Sequence, residues 1–177
     1  MARLEQIAMR LEVKEGKNGC VLINDSYNSD LASLDIALDF MSRRSDDKEK
    51  KRTLILSDML ETGQSGKLLY RQVAELVHSR GVEKIVGVGE EIRTAAARFE
   101  IEKYFFRTTE ELLESDLLAG LRNEVILVKG SRAFHFDRIS DRLELKVHET
   151  ILEVNLGAMV ENLNHYRAML RHPETKV

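Results

Sequence analysis

Short apolar runs alternate along this chain with segments whose apolar residues recur every three or four positions. The runs are rich in valine, isoleucine and leucine, which is typical of strands buried on both faces. They lie at residues 20–23, 53–56, 84–89, 104–106 and 125–128. Helical spacing follows them, first at Leu31, Leu34, Leu38 and Met41. The alternation predicts an α/β fold with a mostly parallel sheet covered by helices on both faces.

The first part of the chain predicts a β-hairpin. Residues 10–15 alternate polar and apolar side chains, residues 16–19 contain two glycines, and the apolar run 20–23 follows. This pattern places one antiparallel strand at an edge of the sheet. The expected fold is therefore a Rossmann-like three-layer sandwich, mostly parallel with one antiparallel edge strand, over about residues 8–146.

Several later segments give more specific expectations. The charged run 43–52 favours a solvated loop, and single helices are expected through residues 92–99 and 112–121. Thr108 and Glu111 have the spacing of a capping box. Gly81 is expected to end the helix before it.

The segment 147–177 has a different pattern. Leu152, Val154 and Leu156 alternate with polar residues as in a strand. A helix is expected next, through Val160, Leu163, Arg167 and Leu170. This β-α unit either extends the sheet of residues 1–146 or opens a second domain.

Composition narrows the classes of function. The 177 residues carry a net charge of −3, so there is no basic footprint for nucleic acid. No apolar run reaches membrane-spanning length, and Cys20 is the one cysteine, which excludes an internal disulfide and a thiolate cluster. A cytoplasmic enzyme domain with Cys20 in its core fits these facts.

Three predicted strands end in polar segments: residues 24–28, 57–61 and 129–132. Because the carboxyl ends of parallel strands share one edge of a sheet, these segments are expected to meet there. Their mixture of charges, hydroxyls and a phenol suits a zwitterionic or nucleotide ligand, and His135 lies close by in sequence. The alternative is that Ser29 or Asp30 caps a helix and the other polar groups are solvated. No glycine-rich phosphate loop occurs and no metal site is predicted, so phosphate binding would need another part of the protein.

The same three segments, Asn-Asp-Ser-Tyr-Asn, Ser-Asp-Met-Leu-Glu-Thr-Gly and Lys-Gly-Ser-Arg, resemble in this order the C-terminal domain of the Mur ligases. Among these they are most similar to the UDP-N-acetylmuramoyl-tripeptide–D-alanyl-D-alanine ligases. The resemblance implies residues that approach ATP: Arg10, Asp25, Tyr27 and Asn28. It implies others that face D-alanyl-D-alanine: Asp58, Glu61, Lys129, Ser131, Arg132 and His135. The chain departs from the family pattern where Ser29-Asp30-Leu31 replaces Ala-Asn-Pro and where Met9 and Ser57 replace glycines.

The resemblance also implies partners. The ligase reaction would use ATP, Mg²⁺ and UDP-N-acetylmuramoyl-tripeptide, with a central ATPase domain supplying the phosphate loop, and no catalytic residue would lie in this chain. Residues 149–167 resemble the start of an alanine racemase barrel, which uses pyridoxal phosphate on a lysine expected just beyond residue 177. Residues 1–146 would then be a ligase domain and residues 147–177 a truncated racemase domain.

Two other functions remain open on the sequence. Residues 1–146 are also compatible with a non-catalytic nucleotide- or metabolite-binding α/β module, which would bind ATP by itself. The tail is also compatible with a partner-binding helix. The ligase interpretation expects the isolated chain to be inactive, because the phosphate loop and metal ligands are absent from its sequence.

Overall fold

A computed structural model describes residues 11–27, 29–43, 49–59, 66–146 and 155–169. Within them lies a six-stranded sheet of order β1-β2-β6-β3-β4-β5. The strands are β1 (Glu12–Glu15), β2 (Val21–Asp25), β3 (Lys51–Ser57), β4 (Lys84–Val88), β5 (Glu102–Phe106) and β6 (Glu124–Lys129). Strand β1 is antiparallel to β2, and the other neighbours are parallel. The predicted fold class is confirmed.

Helices cover both faces of this sheet. They are α1 (Leu31–Arg43), α2 (Gly66–Ser79), α3 (Glu90–Thr94), α4 (Thr109–Glu114), α5 (Leu117–Gly120) and α6 (Asp137–Leu143). Leu38 of α1 and Val73 of α2 belong to the core on one face. Leu112 of α4 and Ile139 of α6 belong to the core on the other. Alternate residues of each central strand point to opposite faces, so continuous apolar runs feed both cores.

The edge hairpin is confirmed, although its first strand begins at Glu12 rather than residue 10. Its connection uses Asn18 and Gly19 at φ 54° and 74°, a left-handed backbone that asparagine and glycine tolerate best. Cys20 is buried behind this turn, as expected for a small apolar side chain.

Three expectations about element boundaries are wrong. The charged run is not all loop, because Lys51 and Arg52 begin β3 and pair with β6. The helix expected through residues 92–99 ends at Thr94 and continues as a 3-10 turn over residues 96–98. The helix expected through residues 112–121 is two short helices, α4 and α5. Ser115, with extended backbone, separates the two helices. The regular spacing of apolar residues over 112–121 therefore identifies side chains buried on one face of the sheet, not a single continuous helix.

The predicted helix ends are largely confirmed. Thr108 Oγ1 accepts the Glu111 backbone N–H at 3.2 Å. The Glu111 carboxylate accepts the backbone N–H of Arg107, not that of Thr108, so the reciprocal half of the capping box is shifted by one residue. Gly81 has φ 68°, and its N–H donates to the His78 carbonyl while Val82 N–H donates to Val77, which is a Schellman ending.

The chain divides into two compact units, residues 1–145 and 146–177. The second contains α7 (Leu156–Met169). Leu156, expected in a strand, is the first residue of this helix, while the other expected strand residues and Leu170 lie outside the described residues. Among the helices described, none has the length and apolar character needed to span a membrane.

Candidate functional site

The three polar strand ends lie on adjacent strands, as the sequence predicted. Strands β2, β6 and β3 are neighbours and parallel, so their carboxyl ends share one edge of the sheet. Asp25 is in register with Lys129, and Lys129 is in register with Leu56, the residue before Ser57. The topology therefore brings the three segments together.

Lys129 and Asp25 form an ion pair between β6 and β2. Lys129 Nζ lies 2.9 Å from Asp25 Oδ2, and the two side chains are 0% and 13% exposed. An ammonium group buried this deeply requires an opposite charge, because desolvation otherwise removes its proton or destabilises the fold. The pair holds the ends of β2 and β6 together and leaves part of Asp25 accessible.

The loop after β6 is tied to the end of β3. The backbone N–H of Ser131 donates to Ser57 Oγ at 2.9 Å. Next to it, a Cβ on Gly130 would lie 2.4 Å from the ring of Phe136, so only glycine allows this approach. The Ser131 hydroxyl oxygen is buried without a hydrogen-bond partner in the described part of the chain.

Helix α1 begins beside the ion pair. Asp30 Oδ1 accepts the Ser33 N–H at 2.9 Å, which confirms Asp30 as the helix cap. Burial opposes ionisation of Asp30, but hydrogen bonds from Ser33 and the charge of Lys129 outweigh it and lower the pKa of Asp30. Ser29 is buried, and its hydroxyl oxygen has no hydrogen-bond partner among the residues described.

A cleft of about 760 Å³ opens beside these strand ends. It is lined by Leu11, Glu12, Asn24, Ser26, Tyr27, Arg132, His135 and Asp137. Tyr27 is 49% exposed, and the Arg132 guanidinium carbon lies 6.0 Å from the centre of its ring, within range of a cation–π contact. Thus Tyr27, predicted to approach ATP, and Arg132 and His135, predicted to face the dipeptide, line one cleft.

His135 is held in an unusual backbone conformation at this cleft. It ends the 3-10 turn of residues 132–134 with φ 50° and ψ 46°. A left-handed histidine is uncommon, and such residues are concentrated at functional sites. The turn at residues 132–134 brings Arg132 and His135 to the cleft together.

Sequence reasoning missed three residues of this region. Glu12 of β1 and Asp137 of α6 line the cleft and add negative charge opposite Arg132. Ser140 donates from its hydroxyl to Asn24 Oδ1 at 2.9 Å, which ties α6 to the end of β2. Glu12 alternates with the apolar Leu11 and Val13, and Asp137 follows Phe136, so the sequence gave no sign that either carboxylate lines a cleft.

Asp58 has a different environment from the one predicted. It is buried, and its carboxylate accepts the N–H groups of Ile92 at 2.7 Å and Glu91 at 3.1 Å. The Tyr70 hydroxyl donates to the same carboxylate at 3.1 Å. Burial, together with the charge of Asp58, raises the pKa of Tyr70. Both Asp58 oxygens thus anchor the start of α3, and its contact with a dipeptide stays a prediction.

Gly89 makes this anchoring possible. Its φ is 132°, and a Cβ there would lie 2.2 Å from the Asp58 carboxylate.

Three predicted site residues, Arg10, Asn28 and Glu61, lie outside the described residues. Across the residues that the structure describes, no group of three or more histidine, cysteine, aspartate or glutamate side chains is arranged to hold a metal ion.

Comparison with known proteins places this domain among the Mur ligases. The family model "Mur ligase, glutamate ligase domain" matches residues 9–132, and the chain belongs to that family. Among curated relatives it resembles UDP-N-acetylmuramoyl-tripeptide–D-alanyl-D-alanine ligases. The Escherichia coli K12 enzyme is 24% identical over 145 residues, covering 81% of this chain and 31% of that enzyme. The Rickettsia prowazekii enzyme is 31% identical over 122 residues, covering 68% and 26%.

Solved structures show the same fold. MurF ligase from Thermotoga maritima, solved in complex with ADP, aligns with a TM-score of 0.60 at 20% identity, over 80% of this chain and 31% of that one. MurF from Acinetobacter baumannii aligns with a TM-score of 0.57 at 20% identity, over 78% and 30%. The chain therefore spans about a third of the length of these ligases.

Proposed function

We propose that this chain is the C-terminal domain of an ATP-dependent ligase that joins D-alanyl-D-alanine to UDP-N-acetylmuramoyl-tripeptide in peptidoglycan synthesis, in the cytoplasm. The observation that carries the proposal is a cleft at the carboxyl ends of β2 and β6, lined by charged, hydroxyl and aromatic side chains, with the end of β3 beside β6 in the sheet. Membership of the Mur ligase family supports the reaction class, and the named relatives support the substrates.

The aromatic side of the cleft fits the nucleoside part of ATP. Tyr27 is about half exposed, and Asn24 and Ser26 line the cleft next to it. Asp25, which stands between them in the chain, keeps 13% of its side chain exposed. A flat ring suits a base and a partly exposed carboxylate suits ribose hydroxyls. Arg10 and Asn28 complete the ATP-facing set in this proposal.

The basic side of the cleft fits a dipeptide. Arg132 presents a planar guanidinium, which matches a carboxylate in two parallel hydrogen bonds. Glu12 and Asp137 provide negative charge for an ammonium group. Ser131 and His135 contribute polar atoms, and Lys129 contributes positive charge behind them; Asp58 and Glu61 complete the predicted dipeptide-facing set.

Phosphate and metal binding belong, in this proposal, to another part of the whole enzyme. The chain has no glycine-rich phosphate loop, and the described residues offer no metal cluster, so we assign the phosphate grip and Mg²⁺ to a central ATPase domain. In the whole enzyme ATP activates the tripeptide carboxylate for attack by the dipeptide amine. This domain would bind and orient the amine and, by closing on the central domain, exclude water.

An activity assay with the 177-residue chain tests the assignment of roles. With ATP, tripeptide nucleotide and D-alanyl-D-alanine, the isolated chain should release no ADP, whereas a protein that joins it to a central domain should. Release of ADP by the chain alone would contradict the proposal.

The second candidate, a non-catalytic nucleotide- or metabolite-binding module, is favoured by the aromatic face of Tyr27. Calorimetry separates the two candidates. The module interpretation expects saturable ATP binding by the isolated chain, while the ligase interpretation expects little.

An Arg132→Ala variant should weaken dipeptide use in the joined protein, and Arg71→Ala, whose side chain pairs with Glu75 on α2, is the matched control.

For residues 147–177 we propose the start of a fused alanine racemase domain, whose pyridoxal phosphate would be held by a lysine outside this chain. The support is the sequence resemblance of residues 149–167, and no step is derived through the cofactor. Removing residues 147–177 should leave the melting temperature of the ligase domain unchanged. A marked fall would favour the partner-binding alternative, in which the tail packs on another surface.

A further inference from the structure

We propose that Ser57 is a positioning residue that fixes the loop of residues 129–132 against the end of β3. It deepens the proposed function, since it concerns the loop assigned there to dipeptide binding. Ser57 is fully buried and does not line the cleft. It acts on a ligand only through the groups that it holds in place.

The hydroxyl of Ser57 both donates and accepts a hydrogen bond, so its hydrogen has a defined direction. Its oxygen lies 2.9 Å from the carbonyl oxygen of Asp58 and 2.9 Å from the backbone nitrogen of Ser131. A carbonyl only accepts, so the serine hydrogen points to Asp58, and a lone pair accepts the Ser131 N–H. One side chain therefore connects the segment after β3 with the loop after β6.

The β3 side of this connection is firmly anchored. The Asp58 carboxylate is held by two N–H groups of α3 and by the hydroxyl of Tyr70. Met59 N–H donates to the oxygen of the same tyrosine at 3.3 Å. Ser57 thus ties the loop after β6 to a buried hydrogen-bond network.

The β6 side carries the groups that face the cleft. Gly130 lies against the Phe136 ring, and Ser131 N–H is held by Ser57, so the backbone is fixed at two successive residues. The next residue is Arg132, whose guanidinium approaches the ring of Tyr27. Loss of the Ser57 bond would free the Ser131 backbone and let Arg132 shift relative to Tyr27. Small displacements of this kind reduce the effectiveness of a binding site.

Residue-resolved amide hydrogen exchange in the 177-residue chain tests the connection without any ligand. In Ser57→Ala the Ser131 amide should exchange about tenfold faster, since its buried N–H loses its acceptor. Amides in the middle of β4, such as Val86, should keep their exchange rates. Ser115→Ala is the matched control, because Ser115 also donates to a backbone carbonyl, that of Leu112, and is not connected to Ser131.

Rescue by a second hydroxyl distinguishes positioning from general stability. Ser57→Thr should restore slow exchange at Ser131, because threonine keeps the donor and acceptor and suits a strand. An unchanged Ser131 rate in Ser57→Ala overturns the proposal. So does an equal acceleration at Ser131 and Val86, which would mean that the substitution only loosens the whole fold.

The functional test uses a protein that joins this chain to a central ATPase domain. Ser57→Ala should raise KM for D-alanyl-D-alanine about fivefold, with kcat and KM for ATP nearly unchanged. A fall in kcat with no change in that KM overturns the positioning role. If the unmodified protein does not use the dipeptide, the proposed function fails, while the exchange measurement still decides whether Ser57 fixes the loop.

Discussion

Strand β6 carries a buried charge at each end, and the two ends differ in what surrounds that charge. At its start, Glu124 pairs with Lys84 of β4 at 2.7 Å. At its end, Lys129 pairs with Asp25 of β2 at 2.9 Å. Both are lysine–carboxylate pairs between strands of one sheet. Their chemistry is the same, so the difference between the two ends must come from their neighbours.

The amino end of the sheet is a closed network. Glu124 also accepts a hydrogen bond from the Thr53 hydroxyl, and Lys84 lies 3.5 Å from a second carboxylate, that of Glu102. These residues come from β6, β3, β4 and β5, four successive strands. Each buried group thus has a partner supplied by the fold, and the network helps to specify which strands are neighbours.

The carboxyl end is completed differently. The Lys129–Asp25 pair lies near the charge of Asp30, and Asn24, Ser26 and the half-exposed Tyr27, next to Asp25 in the chain, line a cleft. Buried hydroxyl oxygens of Ser29 and Ser131 have no partner within the described residues. The comparison teaches that similar buried ion pairs stand in different surroundings: the fold satisfies the neighbours of one pair, while residues next to the other line a candidate site.

The largest expected effect is at the amino end. Glu124→Gln should lower the free energy of unfolding by about 3 kcal/mol, because it leaves the buried Lys84 with only the longer contact of 3.5 Å to the partly exposed Glu102 among the described residues. Asp25→Asn should cost less, about 1.5 kcal/mol, since Asp25 is 13% exposed and the carboxylate of Asp30 keeps a negative charge near Lys129. Urea denaturation of both variants measures the difference.

Arg71→Ala is the control for this experiment, because its exposed pair with Glu75 should be worth less than about 0.5 kcal/mol. A combined Glu124→Leu and Lys84→Met variant should recover much of the loss, since a buried pair replaced by apolar residues is often tolerated. If Glu124→Gln is no more destabilising than Asp25→Asn, the distinction between the two ends fails.

The sequence predicted the carboxyl end of the sheet better than the amino end. The polar residues after β2, β3 and β6 follow apolar runs, so parallel pairing alone predicted that they meet. The amino-end network was not predicted, because Lys51 and Arg52 continue a charged run that is typical of a loop. No local sequence pattern predicts that the side chains of Glu124 and Lys84 are buried, since their burial depends on the order of the strands in the sheet. Within the site, the polar residues that directly follow an apolar strand were found, whereas the positions of Glu12 and Tyr70 depend on packing across the fold.

Tyr70 gives the next prediction, because its hydroxyl binds the Asp58 carboxylate at the carboxyl end of the sheet. Tyr70→Phe should cost about 1.5 kcal/mol near pH 7, because Asp58 loses a donor and Met59 N–H loses an acceptor. The folded state raises the pKa of Tyr70, so its contribution is complete below about pH 10 and is lost as the pH rises further.

Denaturation between pH 8 and 11 tests this prediction. Above about pH 10 the unmodified chain should lose stability faster than Tyr70→Phe, by up to about 1.4 kcal/mol per pH unit. Tyr166→Phe is the control, since that tyrosine is exposed on α7. Parallel curves for the unmodified chain and Tyr70→Phe would show that Tyr70 does not belong to the buried network.

Asp30 should give a smaller effect with the opposite pH dependence. Asp30→Ala removes the α1 cap and should cost about 1 kcal/mol at pH 7. The folded state lowers the pKa of Asp30, so this contribution is present above about pH 4 and is lost as the pH falls. Thermal denaturation at pH 7 and pH 3 should show the difference shrinking. Asp30→Asn keeps a capping oxygen without the charge, so its stability relative to Asp30→Ala should not depend on pH.

The smallest expected effect separates the rim of the amino-end network from its centre. Lys51 pairs with Glu102, but their side chains are 35% and 38% exposed. The Glu102 hydrogen bond raises the pKa of Lys51, yet solvent screens a pair this exposed. Lys51→Met, which keeps the apolar stem, should cost only a few tenths of a kcal/mol, and about 1 M salt should abolish that cost. Lys84→Met is the matched variant at the buried centre and should cost about 3 kcal/mol in either salt condition, because Glu124 is left unpaired. Equal costs for the two lysines would mean that burial does not determine which ion pairs stabilise this sheet.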